Sequence, residues 1–591
     1  LRFTVSHKDT QQLGPLGFVV PYFRKYLLRI VIGLFALIGV DFLQLIIPRI
    51  IRSAIDGLDS GQFSNNQLLS HALIITALAI GVACFRFLWR YLILGFSRLL
   101  EEDIRNRLVT KLLSLDRAYF QKRTIGELMA LATNDLASVQ LACGMGLVSF
   151  FDALFMTVAV IGFMLYISPL LTLITLAPLP VLAVLTRVLS AKLHNRFRHV
   201  QEQFSRLTEL ARSTIASMRL IKVYTQEASQ TQRFDDMGRT YVDHCLKVAR
   251  IQGLLFPTSS LIGNASLLLI ILVGAKMVIH HTITVGDFVA FISYLLMMTW
   301  PMMAIGWVAN LFQRGLTSLG RIQKVLNDQP LLTNRGDTCI TPPVASLSVS
   351  LKSFTYPGQS TPVLHDISLL FEKGLYGIVG KTGSGKTTLC HLLARFYPVD
   401  DNSLCINGID VNHIDINSYR KNFAYVPQEP LLFSDTIAFN IAFGAPTATQ
   451  EQIEDVARKA GIHDEIMAFA KMYQTRIGEK GVKLSGGQRQ RISLARAFLT
   501  KAPVLLIDDG LSAVDSGTEL HILENLNAIA TRATVIIVSH RLSPLADAKS
   551  IAVFDDGMLT AVGTHQYLIE HNRYYQIIYA NQSDSTNGRK G

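Results

Sequence analysis

Long apolar runs dominate the first half of the chain and alternate with polar, basic stretches. They fall at about 27–48, 72–96, 141–166, 170–190, 254–279 and 285–308. Each is about twenty residues or more, the length a helix needs to cross a hydrocarbon core, so six spans are expected. Ser168-Pro169 separates the third from the fourth as a tight turn. Ahead of the first run, Tyr22-Phe-Arg-Lys-Tyr-Leu27 mixes basic and aromatic residues in the manner of an interfacial anchor.

The stretches between the runs differ in charge. The second (about 97–136) carries Arg98, Arg105, Arg107, Lys111, Arg117, Lys122 and Arg123, and the fourth (about 191–253) is also rich in arginine and lysine. The fifth, beginning His280-His281, has neither. Positive charge accumulates on the cytoplasmic side, which puts the second and fourth stretches and both termini in the cytosol. Arg49 and Arg52 run mildly against this. The two basic stretches keep apolar residues at helical spacing, so they are expected to be helices that carry the spans onward into the cytosol. Their tips are expected at Phe120–Asp135 and Arg219–Glu227.

From about residue 347 the pattern shortens. Leu347-Ser-Val-Ser-Leu-Lys352 alternates, while Leu375–Val379, Val504–Asp508 and Thr534–Val538 are continuously apolar up to their ends, as buried strands are. Asn334-Arg-Gly-Asp337 and Thr341-Pro-Pro343 mark a linker. The expected division is a membrane domain at 1–324, a linker at 325–348, a nucleotide-binding domain at 349–580 and a disordered tail at 581–591. The fold class is thus an α-helical membrane domain, with six transmembrane helices and long cytoplasmic extensions, fused to an α/β P-loop ATPase domain.

Composition agrees with this division. Half of the 591 residues are hydrophobic and 17% are charged, with a mean hydropathy of +0.32. The net charge of +12 is largely placed by topology, so no nucleic-acid partner is expected. The six cysteines are scattered and suggest neither a disulfide framework nor a zinc site. No cleavable signal peptide is evident, and the sequence opens on Leu1 rather than Met.

The chemistry concentrates in the second half. Gly380-Lys381-Thr382-Gly383-Ser384-Gly385-Lys386-Thr387 is a phosphate-binding loop that follows a strand and opens a helix at Thr388. Its backbone N–H groups suit an oxygen-rich anion, Lys386 the β- and γ-phosphates, and Thr387 a Mg²⁺ ion. Asp508 and Asp509 end a buried strand; the first suits Mg²⁺ and the second a water-polarising base. Gln428 offers an oxygen to Mg²⁺ or to an attacking water. His540 stands at the tip of another strand, and the Tyr356 ring suits an adenine. Leu484-Ser485-Gly486-Gly487-Gln488 precedes a helix and makes a second anion-binding surface. Within the spans, Asp41, Arg86, Arg90 and Asp152 are candidates for function by default. They read either as a cavity surface for an anionic or amphipathic substrate or as internal ion pairs.

Taken together these motifs resemble the ATP-binding cassette (ABC) exporter half-transporters, most of all the MdlA-type bacterial multidrug subunits, over essentially the whole chain. The resemblance implies ATP and Mg²⁺ as cofactors, held by Gly380–Thr388 and Tyr356, with Thr387, Gln428 and Asp508 as metal ligands. It makes Asp509, Gln428 and His540 the catalytic group. It makes Leu484–Gln488 and Asp515, in the loop that starts at Ser512, the surface offered in trans to a second subunit. Phe120–Asp135 and Arg219–Glu227 resemble its coupling segments. One departure stands out, because the family usually has Glu where this chain has Asp509. The shorter carboxylate falls about 1.5 Å short of a water at the γ-phosphate, a displacement that can cost on the order of 10²-fold in rate. The implied role is the degenerate-site half of a heterodimer that exports an amphipathic or hydrophobic compound, drug-like or lipid, across a bacterial inner membrane. The alternatives are a homodimeric lipid flippase and an ATP-gated membrane protein that does not pump.

Overall fold

A computed structural model describes residues 14–587, apart from 62–63, 335 and 479–481. The chain divides into two compact units. The first comprises residues 1–112 and 126–328, and the second residues 113–125 and 329–591.

The first unit is helical. Leu27–Asp59, Asn65–Ser114, Ile125–Ile167 and Val285–Asn327 are long and apolar enough to cross a membrane. That makes four among the described residues, against the six expected. Asn264–Ile279 is a shorter apolar helix. Some side chains of the stretches expected as the fourth and fifth spans, 170–190 and 254–279, lie outside the described residues. Ser168 closes the expected turn, accepting a hydrogen bond from the Leu171 N–H while Pro169 begins the next helix. A proline suits that first position, where no intrahelical donor is needed. The predicted extensions are helical: Pro178–Ala216 and Glu227–Leu269 pack along one another, with Phe204 against Tyr241 at 5.8 Å. Leu45, Val160, Met164, Phe291 and Tyr294 form part of a buried apolar core.

The second unit holds ten strands: β1 (Leu347–Phe354), β2 (Leu364–Phe371), β3 (Gly374–Gly380), β4 (Leu404–Ile406), β5 (Ile409–Asp410), β6 (Phe423–Val426), β7 (Val504–Asp508), β8 (Thr534–Val538), β9 (Ser550–Asp555) and β10 (Met558–Gly563). Their order is β5-β4-β1-β2-β10-β9-β3-β8-β7-β6. From β9 to β6 the strands are parallel, and most of the remainder pair antiparallel. Helices cover both faces of the parallel part, so β7 and β8 are buried at every position. Side chains alternate between faces. Leu505 and Ile507 enter one core, and Val504 and Leu506 the other.

Residues 113–125 fold with this second unit, although helical-unit segments flank them in sequence. The Asp116 carboxylate accepts from the Tyr119 N–H to start a short helix, Arg117–Gln121, as good N-caps do. Ala118 of that helix is buried in the same core as Ile378, Leu389 and Tyr397. At the other end of the unit, helix Arg573–Asn587 runs through most of the tail expected to be disordered, because Tyr575 anchors it: that ring is fully buried and its hydroxyl meets His565 Nδ1 at 2.6 Å.

Candidate functional site

The phosphate loop joins β3 to helix Lys386–Leu393. Gly383 and Gly385 have φ of +86° and +92°, the left-handed region that side chains disfavour. A side chain on Gly380 would collide with the Phe554 carbonyl, and one on Gly385 with Leu364. Lys386 is buried, and its ammonium donates to the carbonyls of Gly380 at 2.9 Å and Lys381 at 2.6 Å. Burial pulls its pKa below the ordinary lysine value. The Ser384 hydroxyl is buried with no hydrogen-bond partner. A cationic side chain, an idle hydroxyl and a cradle closed to side chains suit a bound polyphosphate.

Asp508, at the end of β7, is 1% exposed. The Thr387 hydroxyl donates to one of its oxygens at 3.2 Å and the Tyr425 hydroxyl to the other at 3.4 Å. Burial raises its pKa and these two donors oppose the rise. Thr387 and Asp508 are thus already side by side, a hydroxyl and a carboxylate of the kind a Mg²⁺ ion takes. Asp509 follows with φ of +51°, an uncommon conformation for a residue with a side chain. Its N–H donates to the Val538 carbonyl at 2.9 Å, and its own carbonyl accepts from the Ser512 hydroxyl at 3.0 Å. Burial raises its carboxyl pKa, while the nearby charges of His540, Lys386 and Arg541 pull it down. His540 lies two residues past β8 and Gln428 two residues past β6, both exposed. The tips of β6, β7 and β8 therefore bring Gln428, Asp508, Asp509 and His540 to one end of the sheet, where open parallel sheets bind ligands.

Tyr356 is held by its hydroxyl, which donates to Thr388 Oγ1 at 2.9 Å. Its ring stands edge-on to Phe354 and Tyr397, at 5.2 and 5.0 Å. Thr388 is thereby engaged as an anchor for Tyr356. Lys381 forms an ion pair with Asp555 at 2.9 Å.

The Leu484–Gln488 surface is built separately. Ser485 and Gln488 cap each other at the start of helix Gly486–Thr500, a reciprocal arrangement that satisfies two orphan donors. Gln488 also donates to Glu465 at 2.7 Å, and Arg491 pairs with Glu465 at 2.6 Å. A side chain at Gly487 would strike the Ala513 carbonyl. Asp515 caps helix Ser516–Ala530 by accepting from the Thr518 N–H at 2.9 Å, which holds its carboxyl below the usual range. Among the described residues no hydrogen bond joins this surface to the phosphate loop.

Four residues outside the predicted set of site residues, Tyr425, Gln490, Arg117 and Gln121, tie the site together. Tyr425 reaches Asp508, as described. Gln490 accepts from the Ala513 N–H at 3.0 Å and donates to the Ser512 hydroxyl at 3.2 Å. Arg117 donates to His391 Nε2 at 2.9 Å, and Gln121 accepts from the Tyr397 hydroxyl at 2.8 Å. Burial, with Arg117 beside it, lowers the His391 pKa to about 4. None of these had a motif to announce it. Tyr425 alone carried a signal, as the polar-tipped residue of a short strand.

Of the predicted coupling segments, the first (Phe120–Asp135) is divided: residues 120–125 belong to the ATPase unit and 126–135 to the helical unit. The second stays in the helical unit as helix Met218–Val223, with Leu220, Val223 and Tyr224 exposed. The intramembrane candidates split. Arg90 lies over the Trp89 ring at 5.6 Å, whereas Arg86 and Asp152 both lie near Asp41.

Fold and site together define a P-loop ATPase joined in one polypeptide to a helical, membrane-embedded domain. Residues 30–302 match the family described as ABC transporter transmembrane region, and residues 364–512 the family described as ABC transporter. The multidrug resistance-like ATP-binding protein MdlA of Escherichia coli (strain K12) is 36% identical over 567 residues, covering 95% of each chain. The probable multidrug resistance ABC transporter ATP-binding/permease protein YheI of Bacillus subtilis (strain 168) is 35% identical, covering 95% of this chain and 96% of that one. The solved structure of a bacterial Atm1-family ABC exporter with ATP bound superposes with a TM-score of 0.75 at 25% identity, over 96% of this chain and 99% of that one. The chain belongs to the ABC transporters, in the exporter group. It binds ATP and couples ATP hydrolysis to transport.

Proposed function

We propose that this chain is the degenerate-site half of a heterodimeric exporter that moves amphipathic or hydrophobic compounds, drug-like or lipid, out through a bacterial inner membrane, with both termini in the cytosol. The observation that carries the reading is Asp509. Its backbone is pinned to β8 through the Val538 carbonyl, so the strand cannot advance to make up for the missing methylene. The carboxylate then stops short of a water that a glutamate in the same place would reach. The Ser485–Gln488 cap is intact, as suits a surface that serves a partner's nucleotide. Exposed Leu220, Val223 and Tyr224 suit docking on a second subunit.

In this reading Lys386, Ser384 and the loop N–H groups hold the phosphates, and Tyr356 faces the adenine. Thr387, Asp508 and Gln428 would hold Mg²⁺, which when bound neutralises charge on the phosphoryl oxygens. His540 and Asp509 position the water. ATP binding closes the dimer because the closed form binds it more tightly, and hydrolysis at the partner's site reopens it.

The test compares the purified chain with and without a co-expressed second half-transporter. The chain alone should turn ATP over slowly, and Asp509→Glu should raise that rate by up to about 10²-fold. Fast turnover by the unpartnered wild type, unchanged in Asp509→Glu, would refute the proposal.

A further inference from the structure

The helical unit contains an acid pair that the ATPase cycle does not use. Asp41, from helix Leu27–Asp59, is 1% exposed, and its Oδ2 has no hydrogen-bond partner. Helix Leu147–Ile167, which carries Asp152, packs against the helix of Asp41, and the two carboxyl groups lie close enough to interact. Two bare carboxylates do not sit that close without a proton or another cation between them. The Trp300 indole N–H donates to Asp152 Oδ2 at 2.9 Å, and Trp300 is 52% exposed, so the pair is buried at one end and approachable at the other.

The groups around it leave the pair short of positive charge. Arg86, on helix Asn65–Trp89, is within electrostatic reach of Asp41, and among the described residues no ion pair joins it to either acid. Arg90 is spent on the Trp89 ring. On helix Val285–Met297, the Tyr294 hydroxyl donates to the Leu45 carbonyl at 2.9 Å, and Asp287 is paired with Arg52 at 2.9 Å. No group of three or more metal-binding side chains is found among the described residues. An ionisable residue is costly inside a membrane and is retained there for function.

We propose that Asp41 and Asp152 form a binding site for the cationic head of an amphipathic cargo, an organic ammonium or phosphonium, which takes the place of the proton the two acids share. The exchange balances: the protonated pair and one cation give the doubly ionised pair with the cation bound and one proton released to water, and no electrons move. The Trp300 ring adds a π face, which favours cations without N–H donors. The inference rests on the export function proposed above and names the class of cargo within it.

The test is equilibrium binding of tetraphenylphosphonium to the full chain with its partner in nanodiscs, without nucleotide. Its outcome is therefore independent of which ATP site hydrolyses. Affinity should rise with pH, by about tenfold per unit while the pair still carries its proton. Asp41→Asn and Asp152→Asn should abolish that slope and weaken binding at least tenfold at high pH. Asp41→Glu, which keeps the acid, should retain the slope and shows that the site survives substitution. Triphenylphosphine oxide, uncharged, should bind without pH dependence to all forms. Binding of tetraphenylphosphonium that is independent of pH in the wild type, or equal in slope and strength in the wild type and both Asn variants, would overturn the proposal.

Discussion

Two buried acids, Asp508 in the ATPase unit and Asp41 in the helical unit, are each 1% exposed and each stand beside a second aspartate. Their surroundings differ. Asp508 has a hydroxyl donor on each oxygen and Lys386 within electrostatic reach. Asp41 has an oxygen with no donor at all. Burial by itself therefore says little about a carboxyl group, and the donors aimed at it say much more. A carboxylate furnished with donors is prepared to stay ionised and take a metal. One left without them waits for a proton or a cation.

The contrast can be broken most forcefully through Lys386. Lys386→Ala removes the buried ammonium near Asp508 and Asp509 that is proposed to meet the phosphates, and nucleotide affinity at this chain's loop should fall by about 100-fold, read by titration with a fluorescent ATP analogue. An affinity within threefold of the wild type would mean that the loop does not hold phosphate through this residue. Next come paired apolar substitutions with opposite expected signs. Asp508→Val strands the Thr387 and Tyr425 hydroxyls and should cost about 1–3 kcal/mol. Asp41→Val removes an unsatisfied acid and should be neutral or stabilising by about 1 kcal/mol. Thermal unfolding of the purified variants reads both, and equal losses would erase the distinction. The smallest effect belongs to Tyr425→Phe, which deletes one hydroxyl and should cost about 1 kcal/mol. Because that donor helps to hold the Asp508 pKa down, the variant should also bind Mg²⁺–ATP more weakly at mildly acidic pH than at neutral pH. No pH dependence beyond that of the wild type would argue that Tyr425 only packs.

Much of this was legible in advance, for a physical reason. The phosphate loop, β7 with Asp508, and the Ser485–Gln488 cap are local: their chemistry lies in residues adjacent in sequence, and strands buried on both faces read as unbroken apolar runs. What escaped notice was pairing at a distance. Nothing near Tyr425 or Gln490 in sequence points to Asp508 or Ala513, since both partnerships arise from strand order and helix packing. Arg86 and Arg90 looked equivalent because they lie four apart on one helix, yet Arg90 turns to the neighbouring indole. The expectation of six spans met a different obstacle. Length and apolarity qualify four helices among the described residues, and the two long helices expected to hold the other basic extension combine apolar and charged stretches in continuous elements.

The placement of Ala118 has a practical consequence. Because residues 113–125 supply part of the nucleotide-binding core, the polypeptide passes from one unit to the other three times, and cutting the linker after Asp328 would not liberate an intact ATPase. A fragment begun at that point would keep every nucleotide motif and still lack Ala118 from the core that holds Ile378 and Leu389. Such a fragment would need a peptide spanning Leu113–Ile125, supplied separately or grafted on, before its fold could be compared with that of the parent.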